Sequence, residues 1–427
     1  MTSLDFKSVC VIGMGYIGLP TASIFAHNEL AVVGMDINRD IIEGLRVGRL
    51  HIVEPGLQDL LMDVLESGCL KVENEIQPAD AFIIAVPTPF YDDKRADMRA
   101  VVSAAEEILP HLQPGNLVIL ESTSPPRTTI DIVAPILERN GMKAGEDFLL
   151  AYSPERVLPG RILQELVSNA RVIGGINRAS AEAGRDLYRL FVKGEIILTD
   201  ATTAEMVKLM ENTSRDINIA IANEFSRLAQ ELDVDIWEAI NIANLHPRVN
   251  ILRPGLGVGG HCIGVDPWFL VEKSPETAQL IQTARQVNDH QPAFIAELIE
   301  SMADGLSGKT IAVLGLSFKP NVDDIRESPA VELARQLQRL GGEVYAFEPF
   351  RTNTTLEGIR LVDNLESALS RADLIVLAVG HDQFVDLDPS SIREMTSANV
   401  VFDAVNAWNK HDWEATGFQF SGLARKK

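Results

Sequence analysis

"SVCVIGMGYIGLPTASIFAHNELAVVGMDIN", residues 8–38, decides the fold. A short β-branched run ends at a glycine turn, an apolar stretch of helix length follows, and a second apolar run closes on Asp36. That order is a βαβ unit. Within it Gly13, Gly15 and Gly18 hold the GxGxxG spacing directly after a strand and directly before a helix. Three such glycines are weak evidence in isolation. Here the context supplies what the pattern needs: a tight turn, backbone open to close approach by a pyrophosphate, and a helix N-terminus that favours negative charge. Asp36 stands where a carboxylate meets the adenosine ribose hydroxyls, and it favours NAD by repelling the 2′-phosphate of NADP. Asn38 and Arg39 follow closely, so NADP is not strictly excluded. The competing reading is a structural turn with a solvated aspartate.

Outward from this unit, "AFIIAVPTP", "LVILEST" and "FLLAYSPE" add strand-length apolar runs with helix-period segments between them. They predict a parallel sheet covered on both faces, a doubly wound NAD-binding domain over residues 1–198. "AVPTP" and "ESTSP" close two of these strands, on the edge where open parallel sheets bind ligands. Thr88 and Thr123 are therefore candidates for the nicotinamide side, although each would serve equally as a turn residue before proline. From Thr202 to about Leu245 the text becomes helical, without proline or glycine, and predicts a long helix broken near Asp233. Shorter helices complete a central segment, 199–304. After residue 305 "GKTIAVLGLSFKP", "EVYAFEP" and "ADLIVLAVG" repeat the strand pattern, so a second Rossmann-like α/β domain, 305–427, closes the chain.

Composition narrows the partners. Thirty-eight basic against sixty acidic residues give a formal charge of −22, and no run of Lys or Arg is long enough to attract nucleic acid. An anionic ligand would have to be met by a few placed cations and backbone N–H groups. The three cysteines are widely spaced in a chain that needs no staples, so a reducing compartment is expected. Residues 1–8 lack a signal pattern and the apolar runs are only strand-length. A cytoplasmic protein that neither binds nor crosses a membrane is expected.

Cys10 lies within the first strand and reads as a small hydrophobe; nothing around Cys69 suggests chemistry. Cys262, in "GVGGHCIGVD", differs. Gly257, Gly259 and Gly260 permit unusual dihedrals and are expected to leave room for a ligand, while Asp266 follows four residues on. A thiol near a helix start has its thiolate stabilised, as a nucleophile requires. Metal binding by His261 and Cys262 is the alternative, and no CxxC or HxxxH spacing supports it. A cysteine nucleophile in a dinucleotide-binding chain suggests carbonyl oxidation through a thiohemiacetal to a thioester. Lys208 and Asn212 stand at i, i+4 on the long helix, a placement that an ordinary solvated face would also produce.

"GMGYIGLP", "AVPTPF", "ILESTSP", "SPERVLPG", "TAEMVKLMEN", "HPRVNIL", "GVGGHCIGVDPWFL", "ARQVNDHQP" and "FKPNVDDIRESPA" occur in this order. In them the chain, from about residue 8 to 406, resembles the nucleotide-sugar 6-dehydrogenases. The resemblance implies a four-electron oxidation in which two NAD⁺ convert the C6 alcohol of a UDP-sugar to a carboxylate. It implies Cys262 as nucleophile and Lys208 as stabiliser of charge on the C6 oxygen. Asn212 and Asp266 would assist, and Glu155 would act in thioester hydrolysis. For the cofactor it implies Gly13, Gly15, Tyr16, Ile17, Gly18, Asp36, Thr88 and Thr123, with Arg326 reaching the NAD of a neighbouring subunit. For the UDP-sugar it implies Arg156, Val157, Arg215, His246, Arg248, Gly259, Phe318 and Lys319.

UDP-glucose dehydrogenases typically read "SPEFLxEG" where this chain has "SPERVLPG", so Arg156 replaces an apolar residue and Pro159 a glutamate. An N-acetylated hexosamine is therefore expected, with UDP-GlcNAc or UDP-glucose oxidation as the enzymatic alternative and a catalytically silent dinucleotide-binding regulator as the other. Asn406 stands where close relatives often carry a lysine. A homodimer through the long helix is expected from the family's habit and from an apolar stripe on that helix.

Overall fold

A computed structural model describes residues 6–158, 160–260, 262–350 and 355–425. It divides into two compact units: residues up to Glu211 with Trp268–Ser274, and Asn212–Pro267 with residues from Pro275 onward. His261 and Pro159, both singled out above, lie outside the described residues.

The first unit is built on eight strands: β1 (Ser8–Ile12), β2 (Ala31–Met35), β3 (Leu70–Glu73), β4 (Ala81–Ile84), β5 (Leu117–Leu120), β6 (Leu149–Tyr152), β7 (Arg171–Gly175) and β8 (Ile196–Asp200). Their order across the sheet is β3-β2-β1-β4-β5-β6-β7-β8. The chain winds outward from β1 to β3, then crosses back to lay β4 beside β1. That reversal is the switch point where doubly wound sheets bind ligands. Alternate residues feed two cores: Val9, Val11, Ile83 and Ile119 pack on one face, Cys10, Ile12, Phe82, Ile84, Val118 and Leu120 on the other. Burial on both faces is why these strands read as continuous apolar runs. One departure from an all-parallel sheet appears at the far edge. β7 pairs antiparallel with β6, and β8 runs parallel to β7.

In the second unit the strands are β9 (Thr310–Leu314), β10 (Glu343–Phe347), β11 (Arg360–Leu361), β12 (Leu374–Leu377), β13 (Val400–Asp403) and β14 (Gln419–Gly422), all parallel in the order β11-β10-β9-β12-β13-β14. Ile311, Val313 and Val376 pack with Ile236, Ile240, Ile295 and Ile299 from the preceding helices. Ala312, Leu314, Ile375 and Leu377 face the other way, onto Trp408 and Trp413. The helices before residue 305 thus supply one wall of the last sheet. The doubly wound class expected from the sequence is the one observed.

The long helix spans Ala201–Glu231 and the next Ile236–Ala243. Asp233 breaks them with φ +53°, and the Asp235 carboxylate caps the second by accepting from the Trp237 and Glu238 N–H groups. The break falls where the sequence places it. Among the described residues no helix is long and apolar enough to cross a membrane.

Candidate active site

The β1 turn is shaped for a dinucleotide. Gly13 has φ +96° and donates its N–H to the Met35 carbonyl at 2.8 Å, and a Cβ there would lie 2.6 Å from the Ala85 oxygen. A Cβ on Gly18 would lie 1.8 Å from the Gly13 oxygen. Both positions are closed to any side chain. Gly15 is the opposite case, because a Cβ there would meet nothing within 4 Å. The bare backbone of Gly15 and the helix Gly18–His27, whose N-cap residue Ile17 offers no side-chain cap, suit a phosphate. Asp36 accepts from the Met14 N–H at 2.9 Å and the Asn38 N–H at 2.8 Å. The carboxylate is fixed and half-exposed, and each oxygen keeps a lone pair for a ribose hydroxyl. These residues fit NAD. At the ends of β4 and β5 the Thr88 hydroxyl donates to the Thr123 carbonyl at 2.6 Å, so the structure brings the two predicted threonines together.

Glu155, just past β6, is buried; it accepts from the Arg156 N–H at 2.6 Å and from Arg171 Nη2 at 2.6 Å. Arg171 and its second partner Glu121 were not found by sequence reading, since an ion pair across 50 residues leaves no local signal. The Arg156 guanidinium is held by Glu211 through two contacts, Nη2 at 2.6 Å and Nε at 3.0 Å, and its Nη1 donates to the Ala170 carbonyl. Val157 packs against the first core. Lys208 is half-buried on the long helix, in the first unit.

Asn212, one turn on, belongs to the second unit and donates to the buried Asp266 carboxylate at 2.5 Å. The helix Asp266–Lys273 begins at that aspartate. An isolated turn precedes it, closed by the Asp266 N–H on the Cys262 carbonyl at 2.9 Å. The Cys262 side chain is exposed at the head of that turn. Cys10 is its counterexample: wholly buried, its thiol is pushed up to about 11 by loss of water, which makes it inert.

The glycines before Cys262 make close approaches, but to the protein itself. Gly257, at φ +119°, lies against the Asn288 carbonyl; a Cβ on Gly259 would meet the Glu327 oxygen at 2.4 Å, and one on Gly260 the Phe318 ring at 2.9 Å. The space that a side chain on Gly259 or Gly260 would take is occupied by the 318–329 segment. Gly260 also donates to the Arg326 carbonyl at 3.2 Å, while the Arg326 guanidinium pairs with Asp324 at 2.7 Å.

A cavity of about 480 Å³ lies at the β9/β12 switch point, lined by Arg253, Ser317, Phe318, Lys319, Gly380 and Asn406. Phe318 and Lys319, which the resemblance implies for the UDP-sugar, are among its lining residues. Arg253 was missed, although a lone arginine before the Pro254-Gly255 turn is the kind of isolated cation the acidic composition demands. Asn406 sits at φ +56°, and its side-chain oxygen accepts from Arg425. Arg215, His246 and Arg248 are all exposed in the second unit.

Comparison with known proteins accords with both ends of this description. Residues 7–192 match the NAD binding domain of the UDP-glucose/GDP-mannose dehydrogenase family, residues 202–290 its central domain and residues 312–410 its UDP binding domain. The chain is 47% identical over 416 residues to an NDP-N-acetyl-D-galactosaminuronic acid dehydrogenase of Ralstonia solanacearum, covering 95% of this chain and 97% of that one. It is 45% identical over 419 residues to a UDP-N-acetyl-D-mannosamine dehydrogenase of Methanocaldococcus jannaschii, covering 97% and 95%. A solved UDP-D-ManNAc dehydrogenase from Pyrococcus horikoshii superposes with a TM-score of 0.91 at 42% identity, over 98% of this chain and 99% of that one. The chain belongs to the UDP-glucose/GDP-mannose dehydrogenase family, as a nucleotide-sugar dehydrogenase with an NAD-binding domain.

Proposed function

We propose that this enzyme oxidises the C6 alcohol of UDP-N-acetyl-D-mannosamine to the carboxylate of UDP-N-acetyl-D-mannosaminuronate, in the cytoplasm, as a precursor for surface polysaccharide. NAD⁺, when bound, supplies the two-electron acceptor, used twice per sugar. Gly13, Gly15, Tyr16, Ile17, Gly18 and Asp36 would hold its adenosine and pyrophosphate, and Thr88 and Thr123 its nicotinamide end. Lys208 stabilises negative charge on the C6 oxygen as the alcohol is oxidised. The Cys262 thiolate adds to the resulting aldehyde, giving a thiohemiacetal whose oxidation leaves a thioester. Asn212 and Asp266 orient the water and the oxyanion. Glu155 takes a proton from the water that cleaves the thioester, which releases the acid and restores the thiol. The UDP-sugar is met by Arg156, Val157, Arg215, His246, Arg248, Gly259, Phe318 and Lys319, and Arg326 contacts the NAD of a second copy.

The observation that carries this reading is the exposed Cys262 at the head of the turn closed by Asp266, itself clamped by Asn212, in a chain of this family. Dinucleotide binding alone needs none of the three. The matched family segments support a division of labour among 1–198, 199–304 and 305–427 for cofactor, catalysis with dimerisation, and UDP-sugar. A homodimer is supported by exposed Met206, Met210, Ile221, Phe225 and Leu228, which recur at helical spacings of 4, 11, 4 and 3 residues along the long helix. Light scattering should give twice the monomer mass, and a monomer at working concentration would refute it.

A second reading, a galacto-configured N-acetylhexosamine, is favoured by the Ralstonia relative. Initial rates with UDP-N-acetylmannosamine, UDP-N-acetylgalactosamine, UDP-N-acetylglucosamine and UDP-glucose, each with NAD⁺ and NADP⁺, decide the substrate. The manno sugar with NAD⁺ should show the highest kcat/KM; a preference for UDP-glucose would overturn the reading of Arg156.

A further inference from the structure

The reversed strand β7 has a chemical consequence. Because β7 runs against β6, its first residue, Arg171, arrives at the edge where β5 and β6 end, beside Glu121 and Glu155. Arg171 is 5% exposed and serves both carboxylates: Nη1 reaches Glu121 Oε1 at 3.0 Å and Nη2 reaches Glu155 Oε2 at 2.6 Å. Its Nη1 also meets the Ser153 hydroxyl at 3.0 Å, and its guanidinium lies 4.1 Å over the Tyr188 ring. The Tyr188 hydroxyl donates to Glu121 Oε1 at 2.9 Å. Glu121 Oε2 is buried and has no hydrogen-bond partner among the described residues. One cation is therefore divided between two buried carboxylates, and one carboxylate oxygen is left where a proton would satisfy it.

We propose that Glu121 is a positioning residue that sets the basicity of Glu155 through their shared Arg171. When Glu121 carries a proton on Oε2, the charge of Arg171 goes undivided to Glu155, which is then the poorer proton acceptor. When Glu121 is ionised it draws on the same guanidinium, and Glu155 becomes the stronger base toward water. Burial pushes Glu121 up to about 7, with Arg171 opposing and Glu155 reinforcing the shift, so the change falls within the working range of an enzyme. Arg171 keeps its charge: burial opposes it, but Glu155 and the other groups beside it outweigh the loss of water.

The inference rests on Glu155 acting in thioester hydrolysis, and the experiment separates the two. Single-turnover release of the uronate is followed from pH 5.5 to 9 in the full-length enzyme with NAD⁺ and the preferred UDP-sugar, alongside steady-state KM. Wild type should show hydrolysis rising through an inflection near pH 7. Glu121→Gln should remain at the low-pH rate, roughly three- to tenfold below wild type at pH 8.5, with both KM values unchanged. Tyr188→Phe removes a donor to the Glu121 carboxylate and should move the inflection upward without abolishing it, which keeps the test open if Glu121→Gln folds poorly. An inflection that survives unchanged in Glu121→Gln overturns the inference, as does one left in place by Tyr188→Phe. Glu155→Gln is the control: if it hydrolyses at the wild-type rate, the role of Glu155 itself is wrong.

Discussion

The two sheets open with the same device and put it to different uses. In the first, Gly13 at φ +96° donates to the Met35 carbonyl, and Asp36 at the end of β2 accepts from the turn. In the second, Gly315 at φ +91° donates to the Phe347 carbonyl at 2.9 Å, and Glu348 at the end of β10 accepts from Leu316 and Ser317 at 2.7 and 2.9 Å. The carboxylates then part company. Asp36 takes one backbone N–H per oxygen and stays half-exposed, whereas Glu348 is 3% exposed and also takes the Phe350 N–H and His381 Nε2. His381 Nδ1 accepts the Asn321 N–H at 2.9 Å, so the ring proton sits on Nε2 and points at Glu348. A carboxylate at the second strand end thus keeps acceptor capacity open to solvent in one sheet and is a closed structural knot in the other. Loop length goes with the difference: the first turn enters its helix at Gly18, the second wanders to Pro329 and carries Phe318 and Lys319 on the way.

Breaking each knot separately should separate the roles. Glu348→Ala strands three backbone N–H groups and the His381 donor, and should cost about 3–5 kcal/mol in urea unfolding. Asp36→Ala should cost less than about 1 kcal/mol in the same assay yet weaken NAD⁺ binding roughly 10- to 100-fold by titration. Equal stability losses would show that the two carboxylates do the same work. The glycines sharpen the contrast: Gly15→Ala should fold normally and bind NAD⁺ about tenfold more weakly, while Gly13→Ala should lose about 1–3 kcal/mol of stability through strain.

A smaller effect concerns pH. Burial pushes Glu348 up, but the His381 hydrogen bond and the surrounding N–H groups outweigh it, and its proton affinity ends below the ordinary value of 4.5. A depressed carboxyl stabilises the fold above its unfolded pKa and loses that contribution as pH falls toward the folded value. The thermal midpoint of wild type should therefore drop from about pH 5 downward, and Glu348→Gln should flatten that slope. An identical slope in both proteins would remove Glu348 from the account.

Local geometry is what the amino-acid sequence made legible. Gly13, Gly15, Gly18 and Asp36 act within 24 residues, and their spacing is itself the structure. The break near Asp233 was also read from the sequence, and the structure adds its local cause, the Asp235 cap of the following helix. Strand direction was not visible, because an apolar run reads alike in both senses; the run that forms β7 was not singled out, and nothing local announced its reversal. The helices that share a core with β9 and β12 were read as a separate segment, since periodicity shows that a face is buried but not against what. Cys262 stood out by its glycines, yet those glycines meet Phe318 and Glu327, partners some 60 residues away that no local pattern announces. Arg171 and Glu121 were silent for the same cause.

The central claim is that Cys262 carries the half-oxidised sugar, and it is tested most directly by measuring NADH and uronate together in wild type and Cys262→Ser. Wild type should yield two NADH for each uronate, and Cys262→Ser should form uronate at least about 10³-fold more slowly. Uronate released by Cys262→Ser at the wild-type rate would contradict the covalent mechanism.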